Sequence, residues 1–147
     1  MSSTLHVRWL GRVPYREAFA LQQALFTHSS EQHLLLLEHP HVFTYGPSAD
    51  LEKNLKCSPQ AVGADLVKVN RGGDVTYHGP GQLVGYPILT LTPKWGRSGT
   101  GLADSVAYVR SVEQLVIDTL GDLGLGNVGR LREYPGVWVD PDSEHPR

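Results

Sequence analysis

Arg71-Gly72-Gly73-Asp74-Val75-Thr76-Tyr77-His78-Gly79-Pro80-Gly81-Gln82 places four glycines, a proline, an arginine and a histidine within twelve residues. That density of glycine and proline disfavours a helix and the interior of a regular strand. The flanks differ: Asp65 to Asn70 and Leu83 to Leu91 are strand-like runs. A plain hairpin needs only about two to five connecting residues, so this connection is longer than its topology requires. It reads as a substrate loop, with Arg71 and His78 placed to meet whatever the backbone encloses. Thr76 and the N–H groups of Gly72 and Gly73 are candidates to hold a carbonyl or carboxylate oxygen, as an anion-binding nest does. The plainer reading is a tight connection between two strands, with Arg71 and His78 as ordinary surface groups.

Towards the N-terminus, Leu5 to Leu10 predicts a first strand that Gly11 breaks. Pro14 suits the first turn of a helix, and Tyr15, Ala18, Phe19, Leu25 and Phe26 repeat at helical spacing to about Thr27. Leu34 to Glu38 predicts a buried strand, and Val42 to Tyr45 another, ended by Gly46-Pro47. Ala49 to Ala64 is polar, with room for one short helix.

Towards the C-terminus, Pro87 inside the outgoing strand predicts a sheet edge or a bulge. Thr92 to Gly101 is a loop by composition. Asp104 is an N-cap candidate for a helix to Leu120, striped by Val106, Val109, Val112, Leu115, Val116 and Leu120 and stopped by Gly121. Both helical stripes are expected to be core. Gly136 to Val139 predicts one more strand, followed by the turn-like Asp140 to Arg147. A strand and turn with no following strand leave an edge open, so residues 1–147 are expected to form a single, incomplete domain. The irregular element order excludes a doubly wound parallel sheet and predicts an α/β domain of α+β type with a mixed sheet.

The totals set limits. A chain of 147 residues is the size of one domain and buries about 68–70% of its unfolded surface. A net charge of −2 lacks the basic excess of a nucleic-acid binder. One cysteine, Cys57, excludes an intramolecular disulfide and fits a reducing compartment. With no membrane-length apolar run and no signal-peptide core, the expectation is a soluble, cytoplasmic protein.

Other chemistry-bearing residues weigh less. Gly79-Pro80-Gly81 lacks the Lys-Ser/Thr of a phosphate loop, and Gly72-Gly73 opens no helix. His39-Pro40-His41 pairs two imidazoles without further ligands at metal spacing, leaving a role near the pocket mouth open. Cys57 lies in polar Leu55-Lys56-Cys57-Ser58-Pro59, away from any histidine in sequence, and reads as incidental rather than nucleophilic.

The run Arg71 to Gln82 with Leu83-Val-Gly-Tyr-Pro-Ile-Leu89 resembles the signature of the lipoyl(octanoyl) transferases. Gly11 to Tyr15, Glu38 to Gly46 and Tyr134 to Val139 resemble further family segments in the same order. The resemblance implies a biotin/lipoate protein-ligase-like fold. It further implies transfer of octanoyl from octanoyl-acyl carrier protein to a lysine of a lipoyl domain, through an acyl-cysteine thioester. The implied acceptors are lipoyl domains of 2-oxoacid dehydrogenase complexes and the glycine cleavage H protein, with no cofactor, nucleic acid or membrane. Arg71, Gly72, Gly73, Asp74, Val75, Thr76, Tyr77 and His78 would bind the acyl group. The family's lysine and cysteine would fall beyond Arg147, leaving no catalytic residue in this chain, and Cys57 does not match the family context. Two alternatives are an ATP-dependent lipoate or biotin ligase of the same fold and a non-catalytic acyl-binding fragment.

Overall fold

The computed structural model describes residues 4–91 and 103–147; the loop expected from Thr92 to Gly101 lies outside them. Two compact units divide the chain, Met1–Thr90 and Leu91–Arg147. Among the described residues no helix is long and apolar enough to cross a membrane.

The first unit holds six strands and two helices. Strand β1 (Leu5–Arg12) is followed by α1 (Tyr15–His28), β2 (Gln32–Glu38), β3 (Val42–Tyr45) and the short α2 (Leu51–Asn54). A 3-10 turn (Gln60–Val62) leads to β4 (Asp65–Lys68), β5 (Thr76–His78) and β6 (Val84–Ile88). One sheet has the order β1-β2-β6, with β1 parallel and β6 antiparallel to β2. The other has the order β4-β3-β5, with β4 parallel and β5 antiparallel to β3. Both sheets are mixed, as the element order implied.

Gly11 bends β1 instead of ending it. Its φ is +69°, open to glycine at no steric cost, and the register with β2 shifts between Trp9 and Arg12 while the strand continues. Pro87 lies opposite Leu34 on β6, an edge strand, where a missing N–H costs no ladder bond on its open side. Leu34 to Glu38 is not buried throughout. Leu35, Leu37 and the following His39 have no accessible surface, whereas Leu34 and Leu36 are half-buried. Strand period 2 sends alternate residues to opposite faces, and only one face of β2 is sealed. Val42 and Thr44 of β3, Ala18 of α1, Ala64 and Val67 complete this core. Leu35→Ala should lower unfolding stability by about 2–5 kcal/mol in a urea titration, the cost of a leucine-sized cavity in a packed interior.

The second unit contains α3 (Ser105–Asp122), β7 (Val128–Gly129) and β8 (Trp138–Val139), the two strands antiparallel. Asp104 caps α3 as expected, its carboxylate accepting from the Ala107 N–H at 2.8 Å. The helix runs past Gly121 and yields at Gly124, whose φ of +90° is the left-handed value a helix stop uses. The expected α3 core stripe is not buried: Val106 and Leu115 are 63% and 62% exposed, and no residue of this helix is buried. On α1, Ala18 is sealed but Phe26 stands out in solvent. Glu113 on α3 accepts from the Gly136 N–H (2.8 Å) and from Arg130 Nε (2.9 Å), fixing the Gly136 turn that leads into β8. Those two donors, the backbone one foremost, hold the Glu113 carboxyl below its ordinary value.

Candidate functional site

The glycine-rich loop from Arg71 follows β4 after Val69 and Asn70, and it contains β5. Thr76, Tyr77 and His78 therefore form a regular strand, against the expectation of an irregular connection. Threonine and tyrosine favour extended backbone, and β3 offers an open edge: Thr76 pairs with Thr44, Tyr77 with Phe43 and His78 with Val42. The irregular parts of the loop shorten to residues 71–75 and 79–82.

Arg71 is anchored. Its Nη2 donates to the Thr44 carbonyl oxygen (3.0 Å), to Thr44 Oγ1 (2.9 Å) and to Thr76 Oγ1 (2.7 Å), while Nη1 donates to the Gly72 carbonyl (2.9 Å). Thr44 is 1% exposed, so one face of the guanidinium grips the interior of β3. No carboxylate neutralises Arg71 among the described residues. Asp74 instead accepts from Asn54 Nδ2 (2.5 Å) and from the Val75 N–H (2.8 Å). The loop is thus pinned at both ends of its bend, with a fixed positive charge between. Among the described residues the N–H groups of Gly72 and Gly73 make no hydrogen bond, leaving two donors for a ligand oxygen.

Gly46, at the end of β3, permits this arrangement. A Cβ there would lie 2.5 Å from the Arg71 carbonyl oxygen and 2.7 Å from that of Gly73, so only a hydrogen at that position lets the loop backbone approach. At Gly79, after β5, a Cβ would strike the Tyr77 side chain that bonds to His41.

The last two residues of β5 are held by the His39-Pro40-His41 turn. His41 Nδ1 lies 2.6 Å from the Tyr77 hydroxyl, and the Tyr77 ring also packs 5.3 Å from Phe43. His78 stacks on Tyr15 of α1 (6.4 Å, 12°) and meets the His39 ring edge-on (5.9 Å, 65°). Its Nδ1 donates to Gln82 Oε1 at 2.6 Å.

Beside the loop, a cavity of about 580 Å³ is lined by Tyr15 and Phe19 of α1, by Val67 of β4 and by Val69 and Asn70, with Arg16 and Lys68 also on its wall. Asn70 is the residue before Arg71, so the cavity meets the loop at its base. Burial raises the Tyr15 hydroxyl above the ordinary tyrosine value, with Arg71 pulling the other way. The site thus joins an apolar recess to a fixed cation and two free backbone donors. That combination suits an apolar chain ending in a carbonyl or carboxylate. A larger cavity, about 810 Å³, belongs to the second unit and contains no loop residue.

Arg71 bonds to Thr76 and to the Gly72 carbonyl, whereas Asp74 is held from outside by Asn54. Tyr15, Phe19, Thr44 and Gly46 were not among the expected site residues. Thr44 and Gly46 carry no signal beyond following an apolar run, and their roles depend on partners 25 to 27 positions away. Cys57 is exposed between α2 and the 3-10 turn, and the Lys56 ammonium beside it is bonded to the Lys53 carbonyl.

Comparison with known proteins finds relatives over most of the chain. The family model for the lipoyl protein ligase A/B catalytic domain matches residues 14–143. An octanoyltransferase of Solibacter usitatus is 48% identical over 139 residues, which is 90% of this chain and 60% of that protein. An octanoyltransferase of Myxococcus xanthus is 44% identical over 148 residues, 96% of this chain and 39% of that one. The chain thus spans less than two thirds of the length of these relatives. Among solved structures, a bi-partite lipoate protein ligase of Thermoplasma acidophilum superimposes with a TM-score of 0.64 at 18% identity, over 94% of this chain and 52% of that one. A lipoate-protein ligase A bound with ATP gives 0.60 at 19% identity, over 90% and 51%. At such identity these two likenesses speak for the fold alone, an α/β arrangement with mixed sheets. With 130 of its 147 residues inside the family match, the chain belongs to the lipoyl protein ligase A/B catalytic domain family.

Proposed function

We propose that this chain supplies the acyl-binding half of an octanoyltransferase, with Arg71 to His78 as the binding loop. The octanoyl methylenes would lie in the recess lined by Tyr15, Phe19, Val67 and Val69. The thioester carbonyl oxygen would take the Gly72 and Gly73 N–H groups in the field of Arg71, which is where negative charge develops during acyl transfer. A cysteine thiolate attacks that carbonyl, the carbon–sulfur bond to the carrier breaks and the carrier leaves as its thiol. The amine of a lipoyl-domain lysine then attacks the acyl-enzyme, forms an amide and releases the cysteine thiol. A thioester is already activated, so neither step needs ATP. The attacking cysteine and its lysine are assigned to no residue of this chain. Arg16 and Lys68 on the recess wall would suit a partner surface of negative charge.

The observation that supports transfer over ATP-driven ligation is that relatives at 48% and 44% identity are octanoyltransferases. The full-length protein should move octanoyl from octanoyl-acyl carrier protein to a lipoyl domain without ATP, followed by the mass gain of the acceptor. Acceptor modification that needs free octanoate and ATP would instead establish the ligase.

A further inference from the structure

His39 is the one histidine with no accessible surface. It follows β2 directly, and both ring nitrogens are engaged. Nδ1 is 2.7 Å from the Val13 carbonyl oxygen, which only accepts, so Nδ1 carries the proton. Nε2 is 2.8 Å from the Tyr86 hydroxyl. In a neutral ring protonated at Nδ1, Nε2 accepts, and Tyr86 therefore donates its phenolic proton inward. Burial favours the neutral imidazole, and His78 nearby adds to that, while the Val13 bond opposes it. Burial also pushes Tyr86 up to about 12, so the phenol keeps the proton it donates.

The ring touches three other aromatic groups: Tyr15 at 5.3 Å, His78 at 5.9 Å and Tyr86 at 5.9 Å. His78 is thus gripped between the face of Tyr15 and the edge of His39, and its Nδ1 is spent on Gln82. Its Nε2 makes no hydrogen bond among the described residues. We propose that His39 is a positioning residue of the acyl site: it fixes Tyr86 and the His78 ring so that His78 Nε2 is presented as an acceptor for an N–H or O–H of the bound donor or acceptor. His41 secures the adjacent Tyr77 in the same turn, so the His39-Pro40-His41 turn grips two successive loop residues. This rests on the reading of the loop as an acyl site.

The test uses the full-length protein with His39→Asn, Tyr86→Phe and the double variant. The asparagine amide still donates towards Val13 but takes the imidazole acceptor from Tyr86, leaving it the Gln22 contact, whereas Tyr86→Phe removes only the phenolic O–H. Long-range proton–nitrogen spectra should show wild-type His39 protonated at Nδ1 alone at neutral pH. The His78 signals should shift in both single variants. Octanoyl transfer should lose about tenfold or more in kcat in each, with KM for the octanoyl carrier within about threefold. The double variant should be no worse than His39→Asn, because one chain of contacts is broken twice. A charged His39, or one protonated at Nε2, would overturn the inference. So would His78 signals unmoved in Tyr86→Phe, or an unchanged kcat in that variant. Should His39→Asn fail to fold, Tyr86→Phe still decides. If the wild type transfers no octanoyl, the functional reading falls, and the spectra judge His39 independently.

Discussion

Gly46→Ala is expected to disable the site although Gly46 lies outside the glycine-rich loop. The added methyl would sit 2.5 Å and 2.7 Å from the carbonyl oxygens of Arg71 and Gly73, and neither is the free end of a flexible side chain. The loop must lift, and with it go the Arg71 contacts to Thr44. Overpacking at a buried position costs about 1–3 kcal/mol. The larger consequence is geometric: a shift near 1 Å in the groups proposed to hold the acyl carbonyl should lower transfer by about 100-fold. Gly72→Ala supplies the contrast. A Cβ there meets nothing within 4 Å, and its φ is not among the positive ones, so its unfolding free energy should stay within about 0.5 kcal/mol of wild type. Urea unfolding of both variants, with initial transfer rates for Gly46→Ala, checks this ordering. A Gly46→Ala protein as stable and active as wild type would mean that the loop does not need its seat on β3.

Arg71→Lys is expected to fail nearly as badly as Arg71→Ala. Lysine keeps the charge, but one ammonium cannot reproduce a fork that reaches the Thr44 carbonyl, two hydroxyls and the Gly72 carbonyl at once. The Thr44 hydroxyl, sealed in the core, then loses its donor, at a cost of about 1–3 kcal/mol. From sequence alone, Arg71 is a loop cation whose removal should weaken binding and spare the fold. The structure changes that expectation, because the same side chain ties the loop to the sheet. Both variants should therefore lose stability together with about 100-fold in kcat/KM. Wild-type stability in Arg71→Lys would show that charge alone suffices.

The contrast between these two residues explains what the sequence could convey. Local patterns were readable: Val42 to Tyr45 as a strand, Asp104 as a cap, and Pro87 as the mark of an edge strand each follow from chemistry within a few residues. So was the loop's unusual composition. Contacts that cross the chain were not. Thr44 looks like an ordinary strand residue until Arg71 arrives 27 positions later, and Gly46 looks like a turn glycine until the loop backbone lies over it. Thr76 to His78 escaped as a strand because the surrounding glycines dominate the reading, whereas the open edge of β3 decides the outcome. The helical stripes misled for a related reason. Periodicity identifies the apolar face of α3 but not what covers it, and Val106 and Leu115 stand in solvent.

The central claim is that the recess at Asn70 and the bend from Arg71 receive a fatty acyl chain and its carbonyl end. Intermolecular nuclear Overhauser effects from carbon-13-labelled octanoate test it most directly. The expected cross-peaks join the methylenes to the side-chain protons of Phe19, Val67 and Val69, and the carbons nearest the carboxylate to the α-protons of Gly72 and Gly73. Cross-peaks confined to Val106 and Val109 on α3, or none at saturating octanoate, would contradict it.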